Sequence, residues 1–371
     1  MEPSSPHELP AGLPIPKDDG AALHLLHAAL PAVTLPSTAG APEDLAALTR
    51  GPTVIFIYPR TGIPGQPPSP GFSGEDWDSI PGARGCTPQS CGFRDLFGDF
   101  AALGIQVRGL STNTTAHQRE FKARTGTPVE FLSDVSLALT SALRLPTFRF
   151  PVESGGSDTL LHRMAWYCEG GHIRRVWYPV FPPDRSAADV LAWCRQRAAI
   201  ELSPITAADA AFVLDELKRH WGGPEIWSLG RMIRADRIDG RVARVAGEPA
   251  GLITWQVDAG GYQCEVVTLS TRLEGRGVGE HLLEGAVDAG RDAGCSRAYL
   301  TTTNDNLRAL GFYQKRGWRL AALHRASVDE ARARHPVIPA VGLGGIPLRD
   351  ELELEMWLRP PAIRLAEEPP R

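Results

Sequence analysis

An uninterrupted apolar run is the sequence feature that most constrains the first half of this chain. The run "TVIFIY", Thr53 to Tyr58, is β-branched and aromatic, and Pro59 closes it. Such a run is too short for an ordinary helix and is typical of a buried strand. A helical segment around residues 93–103 leads to a second predicted strand in "GIQVRGLS", residues 104–111. Strand, helix and strand in succession predict a parallel α/β core.

Two further elements complete the predicted first domain. The segment "HRMAWYCEGGHIRRVWYPV" holds two alternating runs separated by Gly170-Gly171, which predicts a hairpin at one edge of the sheet. The segment "SAADVLAWCRQRA", Ser186 to Ala198, has the pattern of an amphipathic helix. Residues 1–20 contain five prolines and are predicted to be a flexible leader, so this domain spans residues 21–200.

The pattern restarts near Glu201, which places a second domain at residues 201–371. "AIELSPITAAD" predicts a new strand, followed by a helix with Thr206 at its N-cap. The strict alternation of "ELELEMWL", Glu351 to Leu358, predicts a last strand. Two domains also suit a chain of 371 residues, because domains average roughly 150 residues.

Composition excludes several classes of partner. The net charge is −4 with acidic and basic residues mixed, so no basic field favours nucleic acid. No apolar run reaches the roughly 18–20 residues that cross a membrane, and Ala21 to Val33 lacks the flanks of a signal peptide. We therefore expect a cytoplasmic protein, where structural disulfides are rare, and we predict no metal site.

The segment "GARGCTPQSCGFRD" sets two of the six cysteines, Cys86 and Cys91, five residues apart at the predicted start of a helix. Residues at this spacing in a helix lie about 8–9 Å apart at Cα. A disulfide needs a separation below about 7 Å, so the pair can bridge only if the helix opens. A helix N-terminus stabilises a thiolate. We therefore expect Cys86 to attack a peroxide and Cys91 to resolve the resulting sulfenic acid.

Several motifs in this half agree with one family in order and spacing. "VIFIYPRTG", "GCTPQSCGFRD", "GIQVRGLS", "FLSD" and "LRLPTF" resemble a peroxiredoxin of the bacterioferritin-comigratory, or PrxQ, type over about Leu30 to Ala198. The resemblance implies a thioredoxin-like fold, a hydroperoxide substrate and a thioredoxin-like reductant. It also implies that Cys86 is peroxidatic, that Cys91 is resolving, and that Arg163 stabilises the thiolate and polarises the peroxide.

One departure from that family lies close to the predicted site. Ala83 stands where the family has a threonine, and a loop rich in Pro and Gly precedes it. Thr61 and Thr87 are the candidates for the missing hydroxyl. The alternative is an inert thioredoxin-like module with two buried cysteines. Cys168 and Cys194 fall at core-like positions and are interpreted as small buried hydrophobes.

A glycine-rich turn dominates the second half. "VVTLSTRLEGRGVGEHLL" places a strand, then Gly275, Gly277 and Gly279, then a helix that begins near Val278. Glycines let main-chain N–H groups approach an anion at a helix N-terminus. The spacing fits neither a Rossmann GxGxxG turn nor a Walker loop. By itself the turn is a weak sign of a phosphate site.

The segment that follows the glycine turn strengthens the prediction of a phosphate site. With "NLRALGFYQKRGW" the turn is similar to the GNAT acetyltransferases over about Glu201 to Leu358. The resemblance implies a mixed, splayed sheet with acetyl-CoA between two strands and its pyrophosphate on the turn. The predicted coenzyme-binding residues are Leu269, Gly275, Arg276, Gly277, Val278, Gly279 and Asn306. Glu274 departs from the family, which has Arg or Gln there.

Acyl transfer to an amine needs a base and an acid. Tyr313 corresponds to the family's general acid for the coenzyme A thiolate, with a packed core aromatic as the alternative. Glu265 is the candidate base, acting directly or through water, with an exposed strand carboxylate as the alternative. His281 is interpreted as a helix-surface residue, and Asp305 as a local cap in a polar turn.

The preferred hypothesis is a fusion of two enzymes, a thiol peroxidase and an acetyl-CoA-dependent N-acetyltransferase of an unidentified amine. The alternative is a GNAT acetyltransferase that is regulated by, or merely fused to, a non-catalytic redox-sensing thioredoxin-like module. The long loop from Ala333 to Asp350 is predicted to shape entry of the acceptor. A homodimer is a further expectation that the sequence does not decide.

Overall fold

The computed structural model describes residues 9–63, 73–152 and 155–359. The chain divides into two compact units between Arg195 and Gln196. Residues 1–8 of the predicted leader lie outside the described residues, and residues 9–20 form no helix or strand.

The first unit alternates strands and helices. Its strands β1 to β9 are Thr34–Leu35, Glu43–Asp44, Thr53–Ile57, Gln106–Ser111, Glu130–Ser133, Thr147–Arg149, Thr159–Leu161, Met164–Glu169 and His172–Trp177. Its helices α1 to α7 are Leu45–Leu48, Gly74–Asp78, Cys86–Asp95, Phe97–Ala102, Thr115–Thr125, Ala138–Leu143 and Ser186–Ala198.

The main sheet of this unit has the order β5-β4-β3-β8-β9 in the part of the chain that the structure describes. Strands β3, β4 and β5 are parallel, and β8 and β9 form an antiparallel hairpin at the edge. The predicted parallel core with a hairpin at one edge is confirmed. The predicted helix Ser186–Ala198 is confirmed with the same bounds.

Strand β3 lies in the middle of the sheet, and both of its faces are buried. Val54 and Phe56 pack in a cluster with residues of α3, α5 and α7, and Phe56 stacks on Phe93 of α3 with ring centroids 4.3 Å apart. Ile55 and Ile57 pack on the opposite face. The apolar run of the sequence therefore fixes α3, with its two cysteines, against the middle of the sheet.

Two details of this unit differ from the prediction. The helical segment around 93–103 is divided between α3 and α4, which part at Leu96. Helix α2 lies in the segment predicted as a loop; Ser73 and Asp76 cap it, and its Trp77 packs on Phe150. Residues 64–72 of that predicted loop fall outside the described residues.

The second unit has strands β10 to β18 at Ile200–Pro204, Glu225–Ser228, Arg231–Arg234, Asp239–Val245, Glu248–Val257, Gln263–Thr271, Arg297–Thr303, Arg319–His324 and Glu351–Trp357. Its helices α8 to α11 are Ala210–Trp221, Val278–Asp292, Leu307–Gln314 and Ser327–Arg334. Over the described residues its large sheet has the order β10-β13-β14-β15-β16-β18-β17.

The sheet is splayed between β15 and β16, its parallel pair. These strands pair only from Gln263 to Val266 and from Arg297 to Leu300. Beyond those residues β15 continues to Thr271 against β14, and β16 continues to Thr303 against β18. The predicted mixed, splayed sheet is therefore confirmed, and the gap opens at the carboxyl ends of both strands.

Three elements of this unit were not predicted. Strands β11 and β12 form a separate hairpin, and β17 lies at the edge of the sheet. Five of the six residues of β17 are exposed and the sixth is half-buried, so the strand lacks the alternation that would have revealed it. The turn between β13 and β14 is Ala246-Gly247.

Helices of the described ranges are all too short or too polar to cross a membrane.

Candidate active sites

Cys86 is the first residue of α3. Its N-cap, Gly85, has φ +105°, and a Cβ at that residue would lie 2.2 Å from a side-chain carbon of Pro183. Only glycine combines this left-handed conformation with so close an approach. The thiol is 5% exposed. The helix therefore starts abruptly at Cys86, whose sulfur lies 3.6 Å from the carbonyl oxygen of Ala83.

Arg163 immediately precedes β8 and brings a positive charge to that sulfur. Its Nη2 lies 3.2 Å from Sγ of Cys86, and the residue is 3% exposed. The guanidinium also donates to the carbonyl oxygens of residues 82, 83 and 84 at 3.0–3.2 Å. A buried guanidinium held at this many points stabilises an adjacent thiolate without being free to turn away.

Gln89 was missed by the sequence analysis. It is fully buried, and its Oε1 accepts from Nη1 of Arg163 at 2.5 Å. Its Nε2 donates to Oγ of Ser186, at the start of α7, at 3.4 Å. The available signal was its position three residues after Cys86, which puts both side chains on one face of α3.

Cys91 lies in the same helix, as predicted, and both thiols are free. Its side chain is 6% exposed, and burial raises the pKa of the Cys91 thiol against the opposing charge of Arg94. In an intact helix the two residues are too far apart to bridge. Bridge formation therefore requires at least one turn of α3 to unwind.

Of the two candidate hydroxyls, that of Thr61 has the more unusual environment. Thr61 is 1% exposed, and among the described residues its hydroxyl has no hydrogen-bond partner. Its main chain is held by Asn113 and His117. Its neighbour Arg60 interacts electrostatically with Cys86, and burial lowers the pKa of the Arg60 guanidinium. Thr87 is half-buried within α3.

In the second unit the glycine turn leads into α9. Gly275 has φ +69°, and Gly277, the N-cap of α9, has φ +77°. Side chains rarely adopt this region, so both positions favour glycine. At Gly279 a Cβ would lie 3.4 Å from the ring of Phe312. The turn leaves the first N–H groups of α9 uncovered by side chains, which suits an anion.

The charged residues of the turn are exposed. Glu274, the departure from the family pattern, forms an ion pair with Arg308 at 2.6 Å, and both side chains are more than half exposed. Its negative charge is therefore balanced locally, although such exposed pairs are weak. Arg276 is also exposed.

Of the other three predicted coenzyme-binding residues, Val278 is buried as the first residue of α9, and two flank the splay. Leu269 lies in the part of β15 that no longer pairs with β16. Asn306 is the N-cap of α10, and its Oδ1 accepts from the N–H of Ala309 at 3.1 Å. This oxygen is therefore engaged in capping. It is Asn306, and not the predicted Asp305, that caps this helix.

Tyr313 lies on α10 and is 9% exposed within the core cluster that contains Trp318. Burial raises the pKa of the Tyr313 phenol, so it stays protonated throughout the neutral range. The geometry therefore fits a proton donor as well as a packed aromatic.

Glu265 is buried, contrary to the alternative of an exposed strand carboxylate. It is 4% exposed, and both of its oxygens accept from Nη2 of Arg231 at 3.0 and 3.1 Å. Gln256 donates to the same carboxylate at 2.8 Å. Arg231 lies on the β11–β12 hairpin, which the sequence did not predict, and it contacts both oxygens of the carboxylate. His281, in the first turns of α9, is half-buried.

Comparisons with known proteins find a family match in each of the two units. The Redoxin family model matches residues 27–191, and the acetyltransferase (GNAT) family model matches residues 214–318. The uncharacterized protein YdhI of Bacillus subtilis is 40% identical over 139 residues, which are 37% of this chain and 86% of that protein. The chain is a fusion of a redoxin domain and a GNAT domain.

Two further relatives match the redoxin domain. Peroxiredoxin Q of Suaeda salsa, a chloroplastic protein, is 26% identical over 161 residues, 43% of this chain; the chain spans 63% of that protein's length. The solved structure of peroxidoxin BcpB from Mycobacterium tuberculosis is 23% identical, with a TM-score of 0.36, and covers 46% of this chain and 96% of that one. The predicted thioredoxin-like and GNAT folds are both confirmed.

The redoxin domain thus brings a fixed guanidinium to a nearly buried thiol at the start of α3, and it holds a buried hydroxyl on Thr61. The GNAT domain contains a glycine turn at a helix start, a splayed strand pair and a buried carboxylate. Among the described residues, no group of three or more His, Cys, Asp or Glu side chains could hold a metal ion.

Proposed function

We propose that the redoxin domain is a thiol peroxidase and that the GNAT domain transfers an acetyl group from acetyl-CoA to an amine. The observation that carries the first activity is the 3.2 Å contact between Nη2 of Arg163 and Sγ of Cys86 at the start of α3. The observation that carries the second is the glycine turn at the carboxyl end of a strand that parts from its neighbour.

In the peroxidase cycle the Cys86 thiolate attacks the distal peroxide oxygen, the O–O bond breaks and an alkoxide leaves as an alcohol after protonation. Cys86 becomes a sulfenic acid. After α3 unwinds, the Cys91 thiolate forms the S–S bond, and the sulfenic oxygen leaves as water. A thioredoxin-like dithiol then returns two electrons and regenerates both thiols.

Arg163 and Thr61 both bind the peroxide, and each has a separate role. Arg163 stabilises the thiolate and donates to the peroxide oxygen that becomes the alkoxide. Thr61 supplies the hydroxyl that Ala83 lacks, because its own hydroxyl is buried without a partner in the described part of the chain. A hydroxyl left unsatisfied in the resting protein gains a partner when substrate arrives.

In the acetyl transfer the main chain of residues 275–279 and the start of α9 bind the pyrophosphate. Leu269, at the splayed edge of β15, lies along the pantetheine arm, and Asn306 lies near its thioester end. Tyr313 donates a proton to the departing thiolate. Glu265 accepts the proton of the amine through water, once the amine has displaced Arg231 from its carboxylate.

Two assays on the full chain test the two halves. Consumption of cumene hydroperoxide with thioredoxin, thioredoxin reductase and NADPH should be lost in Cys86→Ser. Coenzyme A release should follow addition of acetyl-CoA with an amine panel that includes spermidine and phenethylamine. No catalytic peroxide turnover in the wild-type chain would favour the redox-sensing alternative, and no coenzyme release with any amine would contradict the transferase.

A further inference from the structure

A polar turn follows β16 and is hydrogen-bonded to the long loop between α11 and β18, here called the 335–350 loop. The Nδ2 of Asn304 donates to the carbonyl oxygen of Pro347 at 2.8 Å. Its Oδ1 accepts from the N–H groups of Arg349 and Asp350, each at 3.0 Å. One amide side chain therefore satisfies three main-chain groups of the loop.

The next residue, Asp305, holds the middle of the same loop. Its Oδ2 accepts from the N–H of Leu343 at 2.7 Å, and the residue is 6% exposed. A Cβ at Gly342 would lie 2.0 Å from this oxygen, so the contact requires glycine there. Its Oδ1 is buried and has no hydrogen-bond partner among the described residues. A buried carboxylate with a spare oxygen is costly, which is unusual for a purely structural contact.

The loop is also ordered within itself and at its helical end. Ala340 accepts from the N–H of Leu348 at 3.0 Å, and Ile346 accepts from Gly342 at 2.8 Å. Arg332, on α11, donates to the carbonyl oxygens of residues 338, 339 and 348. Because these hydrogen bonds join its parts, the loop behaves as a single unit. The Asn304–Asp305 turn sets the position of that unit.

The position of the turn connects the loop to the open end of the splay. Strand β16 ends at Thr303, immediately before the turn, and β15 and β16 have parted by that point. The residue after the turn, Asn306, caps α10, which carries Tyr313. Asn304 and Asp305 therefore fix the 335–350 loop, while Asn306 caps the helix with the proposed proton donor at the mouth of the splay.

We propose that Asn304 and Asp305 are positioning residues that hold the 335–350 loop beside the mouth of the splay and so set the affinity for the amine. The inference rests on the proposed acetyl transfer and concerns the acceptor side of that site alone. In the proposed site the coenzyme is bound by the turn 275–279, so its affinity depends little on Asn304 and Asp305.

The kinetic test uses the full chain with the variants Asn304→Ala and Asp305→Ala. Coenzyme A release is followed at saturating acetyl-CoA against the concentration of whichever panel amine, such as spermidine or phenethylamine, reacts. We expect the amine KM to rise about ten-fold while kcat and the KM for acetyl-CoA change by less than about two-fold. Asp305→Asn keeps an oxygen for the Leu343 N–H and should remain close to wild type. Asp292→Ala, an exposed aspartate of α9, is the control.

A fall in kcat with an unchanged amine KM, or an equal rise in the KM for acetyl-CoA, would overturn the inference. A second measurement does not need the acetyl transfer. Trypsin should cleave after Arg334 or Arg349 several-fold faster in the two alanine variants than in wild type and Asp305→Asn. Unchanged cleavage would also overturn it. If no amine reacts in the wild type, the proposed function fails, while the cleavage rates still decide whether the turn holds the loop.

Discussion

At the scale of single residues, Arg163 does more than carry a charge, because it bonds the thiol, three carbonyl oxygens and Gln89 together. In Arg163→Lys the charge remains, but one ammonium cannot replace a planar fork. We expect peroxide consumption to fall about 100-fold, as when one preorganised donor is lost. Arg149→Lys, at an exposed arginine of β6, should have no effect. A fully active Arg163→Lys would reduce its role to a simple charge.

Removal of the Thr61 hydroxyl is expected to lower activity without lowering folding stability. Thr61→Val keeps the shape of the side chain and removes a buried hydroxyl that lacks a partner in the described structure. We expect peroxide turnover to fall about ten-fold, the value of one good hydrogen bond, without loss of folding stability. Thr87→Val is the matched control and should retain activity. Steady-state rates and thermal melts check both; a Thr61→Val protein that melts earlier would point to a structural role.

Ionisation of Cys91 gives a pH dependence. Burial raises the pKa of the Cys91 thiol above its ordinary range, so the thiol is neutral at pH 7 in folded α3. Resolution needs the thiolate and follows unwinding of α3, which removes the burial that raises this pKa, so the thiolate fraction grows as pH rises through the ordinary range of a thiol. We expect the rate of disulfide formation to climb steadily from pH 6.5 to 9. Stopped-flow tryptophan fluorescence after a peroxide pulse measures it. A rate that is flat across this range would mean that helix opening alone limits the step.

At the scale of elements, the sequence predicted strands that bury at least one face. It did not predict strands whose side chains are mostly exposed. The apolar run 53–58 and the alternation 351–358 identified their strands because burial dictates those patterns. Strand β17 is exposed along most of its length and carries no alternation. Strands β11 and β12 lie outside the main sheet and have four residues each, too few to establish a period. Helix α2 was hidden in a segment rich in Pro and Gly.

The candidate sites likewise contain some residues that the sequence predicted and others that it did not. Cys86 and the glycine turn were predicted because helix starts constrain local sequence. Gln89 and Arg231 were not, since their partners Arg163 and Glu265 lie 74 and 34 residues away in the chain. Contacts across such distances depend on how strands are ordered in the sheet, which no local pattern records.

The start of α9 supplies the prediction at this scale. In Gly277→Ala a side chain is forced to φ +77°, which costs about 1–2 kcal/mol unless the turn moves. Since the turn is the proposed pyrophosphate site, we expect the Kd for acetyl-CoA to rise at least about ten-fold, the equivalent of 1.4 kcal/mol. Gly294→Ala, at φ +84° beyond the other end of α9, is the matched control. It should lower stability and leave the Kd measured by calorimetry unchanged. Equal Kd values in both variants would remove the turn from the coenzyme site.

At the scale of the whole molecule, the chain holds two compact units with separate cores and separate candidate sites. A ligand stabilises the unit that binds it, by about 2.7 kcal/mol at 100 times its Kd. We therefore expect acetyl-CoA to raise one calorimetric transition and leave the other in place. The shift should be the same in wild type, in Cys86→Ser and after treatment with hydrogen peroxide. This result is expected if the two domains work independently. If peroxide removed the shift in wild type and not in Cys86→Ser, oxidation of Cys86 would control the GNAT domain, and the redox-sensing alternative would replace the double enzyme.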